Sequence, residues 1–177
     1  MQVRKLDHVA IAVEDLRAAA RLFIDVLGGA YIGGGDNPDI EVRAIQVRFP
    51  PDVRVELLTP TTETSYLRAY LDRHGEGFHH MTAYVDNVHE VEQVLGAAGY
   101  PTVGTQAQED EWHETFTRPG ASHGALLQFA VPRVPWTEPL AGTSVDDVLE
   151  GRIQVLANVV TWKASGERIL PAEWSGS

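Results

Sequence analysis

From residue 6 to 13 apolar and polar positions alternate, with Val9, Ile11 and Val13 on one side and His8, Ala10 and Ala12 on the other. This period of two is that of a half-buried strand. Asp15 then precedes a stripe of Leu16, Ala19, Ala20, Phe23, Val26 and Leu27 at helical spacing, which stops at Gly28-Gly29. The pattern predicts a helix lying on a sheet. The run Gly33-Gly34-Gly35-Asp36-Asn37-Pro38-Asp39 reads as turn-rich, and strands are expected beyond it over 41–49 and 53–59, joined by Pro50-Pro51-Asp52. The unit reads βαβββ. A linker with a helix near Thr64 to Arg73, closed by Gly75, leads to Phe78. Because a strand rather than a helix follows the three glycines, they do not form a phosphate cradle.

The second half restarts the pattern. Phe78 to Val85 alternates, Val88 to Ala98 is helical up to Gly99, and strands follow near 101–107, 112–117 and 124–131. A shift of 72 residues lays Leu6-Asp7-His8-Val9-Ala10 on Phe78-His79-His80-Met81-Thr82, Val13-Glu14 on Val85-Asp86, Val55-Glu56-Leu57 on Leu127-Gln128-Phe129 and Pro60 on Pro132. One offset serves the first and last strands of both halves, which marks an internal duplication; the junction between helix and second strand needs a gap. The expected fold is α+β, with two βαβββ repeats (about 5–60 and 77–132) forming a mixed-sheet cup around a metal site within residues 1–133. Residues 134–177 form a C-terminal extension. In it Ser144-Val145-Asp146-Asp147 resembles a capping box, Ile153 to Trp162 fits a helix or a strand, and the role stays open between dimer arm, lid and packing extension.

At 177 residues and 44% hydrophobic content the chain can bury a full core. Its formal net charge of −11 repels a phosphate backbone, which argues against nucleic acid as a partner. Cysteine is absent, so disulfides, thiolate metal sites and cysteine nucleophiles are excluded together, and chemistry falls to His, carboxylates and amides. Neither a signal-peptide pattern nor a membrane-length apolar run is present, so a soluble, cytoplasmic protein is expected, without a membrane partner.

His8 and His80 are equivalent under the repeat, and so are Glu56 and Gln128, each on the face opposite the core-facing alternation. If the repeats pack about a pseudo-twofold axis, these four side chains meet around one divalent ion. Imidazole nitrogens with carboxylate and amide oxygens suit Co, Mn, Ni, Zn or Fe with positions open for substrate, and suit a closed structural zinc site less well. A lone strand histidine is more often structural; the matched pairs single these out.

Leu6-Asp7-His8-Val9-Ala10-Ile11-Ala12-Val13, Val55-Glu56-Leu57-Leu58-Thr59-Pro60, Gly75-Glu76-Gly77-Phe78-His79-His80 and His123-Gly124-Ala125-Leu126-Leu127-Gln128 resemble the metal-bearing segments of methylmalonyl-CoA epimerases. These belong to the vicinal oxygen chelate superfamily, with the glyoxalases, bleomycin-resistance proteins and dioxygenases. The resemblance covers about residues 5–132, and its most specific piece is the Gly-x-Gly-x-His-His run. By position it places the family's metal ligands on His8, Glu56, His80 and Gln128. Two positions depart from the epimerase pattern: Gln128 stands where a carboxylate is usual, and Ala44 where an acid on the third strand transfers a proton.

Strand parity supplies the remaining candidates. Ile45 and Val47 point to the core, leaving Val42, Ala44, Gln46 and Arg48 on the ligand face, and Thr82 and Tyr84 share the face of His80. On 112–117 a buried Phe116 would turn His113, Thr115 and Thr117 inward and Glu114 outward. His113 is then the expected acid/base group, with Gln46, Arg48, Thr82, Tyr84 and Thr115 around the substrate. His79 is expected behind His80, and His123 in a turn. The leading expectation is a metal-dependent isomerase or lyase acting on a small carbonyl or acyl-thioester substrate through an enolate-like intermediate, in a homodimer. The alternatives are a non-haem iron dioxygenase built on His8, His80 and Glu56, and a metal-independent drug-binding protein.

Overall fold

Asp15 and Asn87, equivalent under the 72-residue shift, open the first helix of each repeat. The Asp15 carboxylate accepts from the Ala18 amide at 3.0 Å and the Asn87 side chain from the Glu90 amide at 3.2 Å. Capping oxygens thus satisfy amides that a helix start leaves without intrahelical partners. The computed structural model describes residues 1–107, 112–131, 139–156 and 159–171. The acidic run Gln108-Glu109-Asp110-Glu111, the repeat match at Pro132 and the expected boundary at 133/134 lie outside the described residues.

The first half contains β1 (Lys5–Ala12), α1 (Leu16–Ala20, continued with π-helical winding over Arg21–Val26), β2 (Ala30–Asn37), β3 (Val42–Phe49), β4 (Val53–Pro60) and α2 (Tyr66–His74). The second contains β5 (Gly77–Tyr84), α3 (Val88–Ala97), β6 (Thr102–Gln106), β7 (His113–Thr117) and β8 (Leu127–Val131). Beyond them lie α4 (Val145–Leu149), β9 (Ile153–Leu156) and β10 (Val159–Trp162). The fold is α+β. The chain divides into two compact units, one drawn from Met1–Ala10 and His79–Pro135, the other from Ile11–Phe78 and Trp136–Ser177. They are called here the His80 unit and the Glu56 unit.

In the His80 unit the strands run β5-β8-β7-β6, with β5 parallel to β8 and the other pairs antiparallel. Ala83, Val85 and Phe129 on one face of this sheet pack with Val88 and Val91 of α3. In the Glu56 unit the order is β10-β9-β2-β3-β4, again mixed, because β2 meets β9 in parallel. The duplication is visible in the backbone: Val13 N–H donates to Leu58 O at 2.8 Å, and Val85 N–H to Ala130 O at 2.9 Å, each residue displaced by 72.

The structure corrects the reading of the glycine run, which forms strand β2 rather than a turn. A Cβ on Gly34 would stand 2.3 Å from Ala44 O and 3.2 Å from Val148 Cγ2, and one on Gly35 3.1 Å from Ile153 Cγ2. The glycines therefore let α4 and β9 approach the strand backbone closely. The extension is a packing element: Leu140, Val148, Ile153, Val160 and Ile169 share a core with Leu16, Ile45, Val47 and Leu57. The predicted capping box is present, with Ser144 and Asp147 each bonded to the other's backbone amide. Among the described residues no helix is long and apolar enough to cross a membrane.

An ion cluster centred on the buried Asp36 ties the extension to β2 and β3. Asp36, 8% exposed, accepts from Arg43 at 2.5 and 2.9 Å and from Lys163 at 2.6 Å, while Arg43 also donates to Leu149 O at 2.6 Å. Burial pushes the Asp36 carboxyl up, but the hydrogen bonds and charges of Arg43 and Lys163 outweigh it and hold the group below the usual carboxylate range. A carboxyl depressed in the folded state stabilises above its unfolded pKa and loses that contribution as pH falls through the folded one. Asp36→Asn is expected to cost roughly 3 kcal/mol at neutral pH, because it leaves two cations facing a neutral group. Urea unfolding should show the gap to wild type narrowing as the pH drops below about 4; an equal gap at both pH values would mean that charge is not what Asp36 contributes.

Candidate functional site

Pairing of β5 with β8 sets Thr82 opposite Gln128 and Tyr84 opposite Ala130, on the face away from the Ala83, Phe129 and α3 core. His80, two residues before Thr82, shares that face. β1 brings His8 to it. The two imidazoles are each 8% exposed and meet edge to face with centroids 5.6 Å apart.

The protons on these rings follow from their neighbours. His8 Nδ1 lies 2.9 Å from the buried Asp7 carboxylate, which accepts the Nδ1–H, while Nε2 lies 2.9 Å from the Thr82 hydroxyl. The same hydroxyl lies 2.5 Å from Gln128 Oε1. His80 Nδ1 lies 2.8 Å from His79 Nδ1. The residue before each histidine therefore holds its Nδ1, Asp7 in one repeat and His79 in the other, again 72 apart.

The expected orientation of β7 is corrected. Thr115 lies opposite Phe129 and His113 opposite Val131, both on the side of the α3 core. The Thr115 hydroxyl bonds Thr105 at 2.8 Å, which in turn bonds Glu92 of α3. His113 and Thr115 thus do not share the face of Gln128. Glu114 does: its Oε2 accepts from Gln128 Nε2 at 2.6 Å and from Trp112 Nε1 at 2.9 Å, and the Trp112 ring packs edge-on against Tyr84 at 6.2 Å. Burial pushes the Glu114 carboxyl above the usual carboxylate range, against the pull of these two hydrogen bonds. Phe116, taken as the buried marker of the core side, lies opposite Gln128 instead.

In the Glu56 unit the parity reading of β3 agrees with the structure. Ile45, Val47 and Leu57 enter the core, while Gln46 lies opposite Glu56 and donates to its Oε1 at 3.2 Å. Arg48 lies opposite Arg54, so both guanidinium groups belong to this polar face; Arg54 is 3% exposed. Arg54 was missed because nothing in an isolated strand pattern distinguishes a buried arginine from a solvated one. Asp7 was missed too, although the repeat itself pointed to the residue before each histidine, and Glu114, expected to face outward, shares the face of Gln128 instead.

The donor set suits a divalent first-row cation. The His80 unit offers two buried imidazoles and an amide oxygen on the same face; the Glu56 unit offers a carboxylate held by an amide on its own sheet.

A family model described as Glyoxalase/Bleomycin resistance protein/Dioxygenase superfamily matches residues 7–116. The chain is 34% identical over 130 residues to an ethylmalonyl-CoA/methylmalonyl-CoA epimerase of Cereibacter sphaeroides, covering 71% of this chain and 96% of that one. The crystal structure of methylmalonyl-CoA epimerase from Mycobacterium tuberculosis superposes with a TM-score of 0.66 at 27% identity, covering 75% and 90% of the two chains. A variant of the Streptomyces coelicolor methylmalonyl-CoA epimerase, solved in complex with 2-nitronate-propionyl-CoA, shares the fold at a TM-score of 0.66 and 22% identity, covering 75% of this chain and all of that one. With the family match spanning residues 7–116 and the Cereibacter sphaeroides relative aligned along most of both chains, this protein belongs to the glyoxalase, bleomycin resistance protein and dioxygenase superfamily.

Proposed function

We propose that the protein is a divalent-metal-dependent isomerase that epimerises an acyl-CoA thioester at the carbon next to its carbonyl, with His8, Glu56, His80 and Gln128 as the metal-holding residues. The observation that carries this reading is the pair of buried histidines whose Nδ1 atoms are held by Asp7 and His79, with His8 Nε2 and the Gln128 oxygen on the same Thr82 hydroxyl. The relative at 34% identity, an ethylmalonyl-CoA/methylmalonyl-CoA epimerase, supports the substrate class. A bound divalent ion supplies the positive charge that a developing enolate oxygen requires.

The chain's own residues do the rest. Asp7 keeps the His8 proton on Nδ1, so Nε2 is free of hydrogen for coordination. Gln46 holds the Glu56 carboxylate through its amide. Tyr84 and Thr82 line the face of His80 where substrate is placed, and proton transfer belongs to that face, not to His113.

Purified protein is expected to bind about one Mn(II) or Co(II) per chain, and His80→Ala to lose most of it while far-UV circular dichroism stays unchanged. Undiminished binding in His8→Ala, Glu56→Ala and His80→Ala alike would remove the assignment.

Metal-loaded enzyme with methylmalonyl-CoA in deuterated water should place deuterium on the carbon between the two carbonyl groups, and chelator-treated enzyme should not. His113→Ala should retain this exchange, far from the roughly 10²–10⁴-fold loss of a missing acid/base group. Oxygen uptake with Fe(II) and a catechol, in place of exchange, would favour the dioxygenase reading that the two imidazoles and one carboxylate also suit.

A further inference from the structure

An amide side chain is an ambiguous metal ligand because its two ends differ: the oxygen has lone pairs to give, whereas the nitrogen presents only N–H groups. A carboxylate at the same position would coordinate through either oxygen. Gln128 therefore needs a neighbour that decides which end faces His8, and β7 supplies one. Glu114 Oε2 receives the Gln128 amide N–H at 2.6 Å, while Oε1 of the same amide accepts from the Thr82 hydroxyl, which also contacts His8 Nε2. Flipping the amide would set its oxygen against the Glu114 carboxylate and its N–H groups toward the Thr82 hydroxyl on the His8 side. Trp112 Nε1 donates to the same Glu114 oxygen at 2.9 Å and so anchors the acceptor itself.

We propose that Glu114 is a positioning residue that orients the Gln128 amide with its oxygen toward the metal position. The inference rests on the metal-binding reading above. Gln128→Glu made alone would bring two carboxyl groups together at this contact, so it is expected to gain no metal affinity while Glu114 remains.

The experiment is a double-mutant cycle read by Mn(II) affinity in titration calorimetry. Glu114→Leu should weaken Mn(II) binding at least about 10-fold, as loss of a partner behind a metal ligand does. In a Gln128→Ala background the same change should cost less than about 2-fold, because Glu114 then has nothing to orient. Glu114→Gln, whose side-chain oxygen still accepts from Gln128 and Trp112, should stay within about 3-fold of wild type, and a loss as large as that of Glu114→Leu would overturn orientation as its role. A loss of equal size in both backgrounds would assign Glu114 a general structural role and overturn the proposal, as would full affinity in Glu114→Leu. Wild-type protein that takes up no Mn(II) would overturn the metal reading itself, whereas His80→Ala losing Mn(II) while Glu114→Leu keeps it would overturn the role of Glu114 alone. Should Glu114→Leu fail to fold, the comparison of Gln128→Glu with the Glu114→Gln/Gln128→Glu pair decides: tighter binding in the pair than in the single variant supports the contact, and equal binding overturns it.

Discussion

The parallel pairing of β5 with β8 is the constraint on which the His80 unit's chemistry depends. It places Thr82 opposite Gln128, so that one hydroxyl reaches both the Gln128 oxygen and His8 Nε2. A slip of one residue would carry Gln128 to the α3 side and bring Phe129 out of the core, exchanging every side chain between faces. The packing of Ala83 and Phe129 against Val88 and Val91 opposes such a slip. The apolar face thus fixes a geometry that the polar face uses.

Much of this was legible because a duplication repeats its constraints. The helix caps Asp15 and Asn87, the backbone bonds of Val13 and Val85, and the residues behind His8 and His80 all recur at the 72-residue offset visible in the sequence. The face assignment of β3 could be read because Ile45 and Val47 are strong apolar markers next to polar Gln46 and Arg48. On β7 the marker misled. The buried side of that strand carries threonines, Thr115 at 0% and Thr117 at 1% exposure, whose hydroxyls bond Thr105 and Ser122. Hydrogen-bonded threonine is as much at home in a strand interior as an aromatic ring, so apolar character alone did not reveal the parity. β2 was illegible for another reason: its glycines answer to α4 and β9, which come more than a hundred residues later in the chain.

Electrostatics follow the same division between general and local. The overall charge of −11 says what the protein avoids, but the buried groups decide what it can hold. Asp7 beside His8, Glu114 beside Gln128 and Asp36 beside Arg43 each place a carboxylate where a specific donor must be oriented. Desolvated carboxylates persist only where such donors compensate them.

The extension also settles how the Glu56 unit ends. β9 lies along β2, β10 lies along β9, and beyond β10 the chain turns back so that Ile169 N–H bonds Val160 O and Trp162 N–H bonds Glu167 O. A bare outer strand is a template on which other chains can add and aggregate. Here residues 167–169 of the same chain occupy that template, so the segment that completes the core also acts as a guard against fibre-like growth from this side of the sheet.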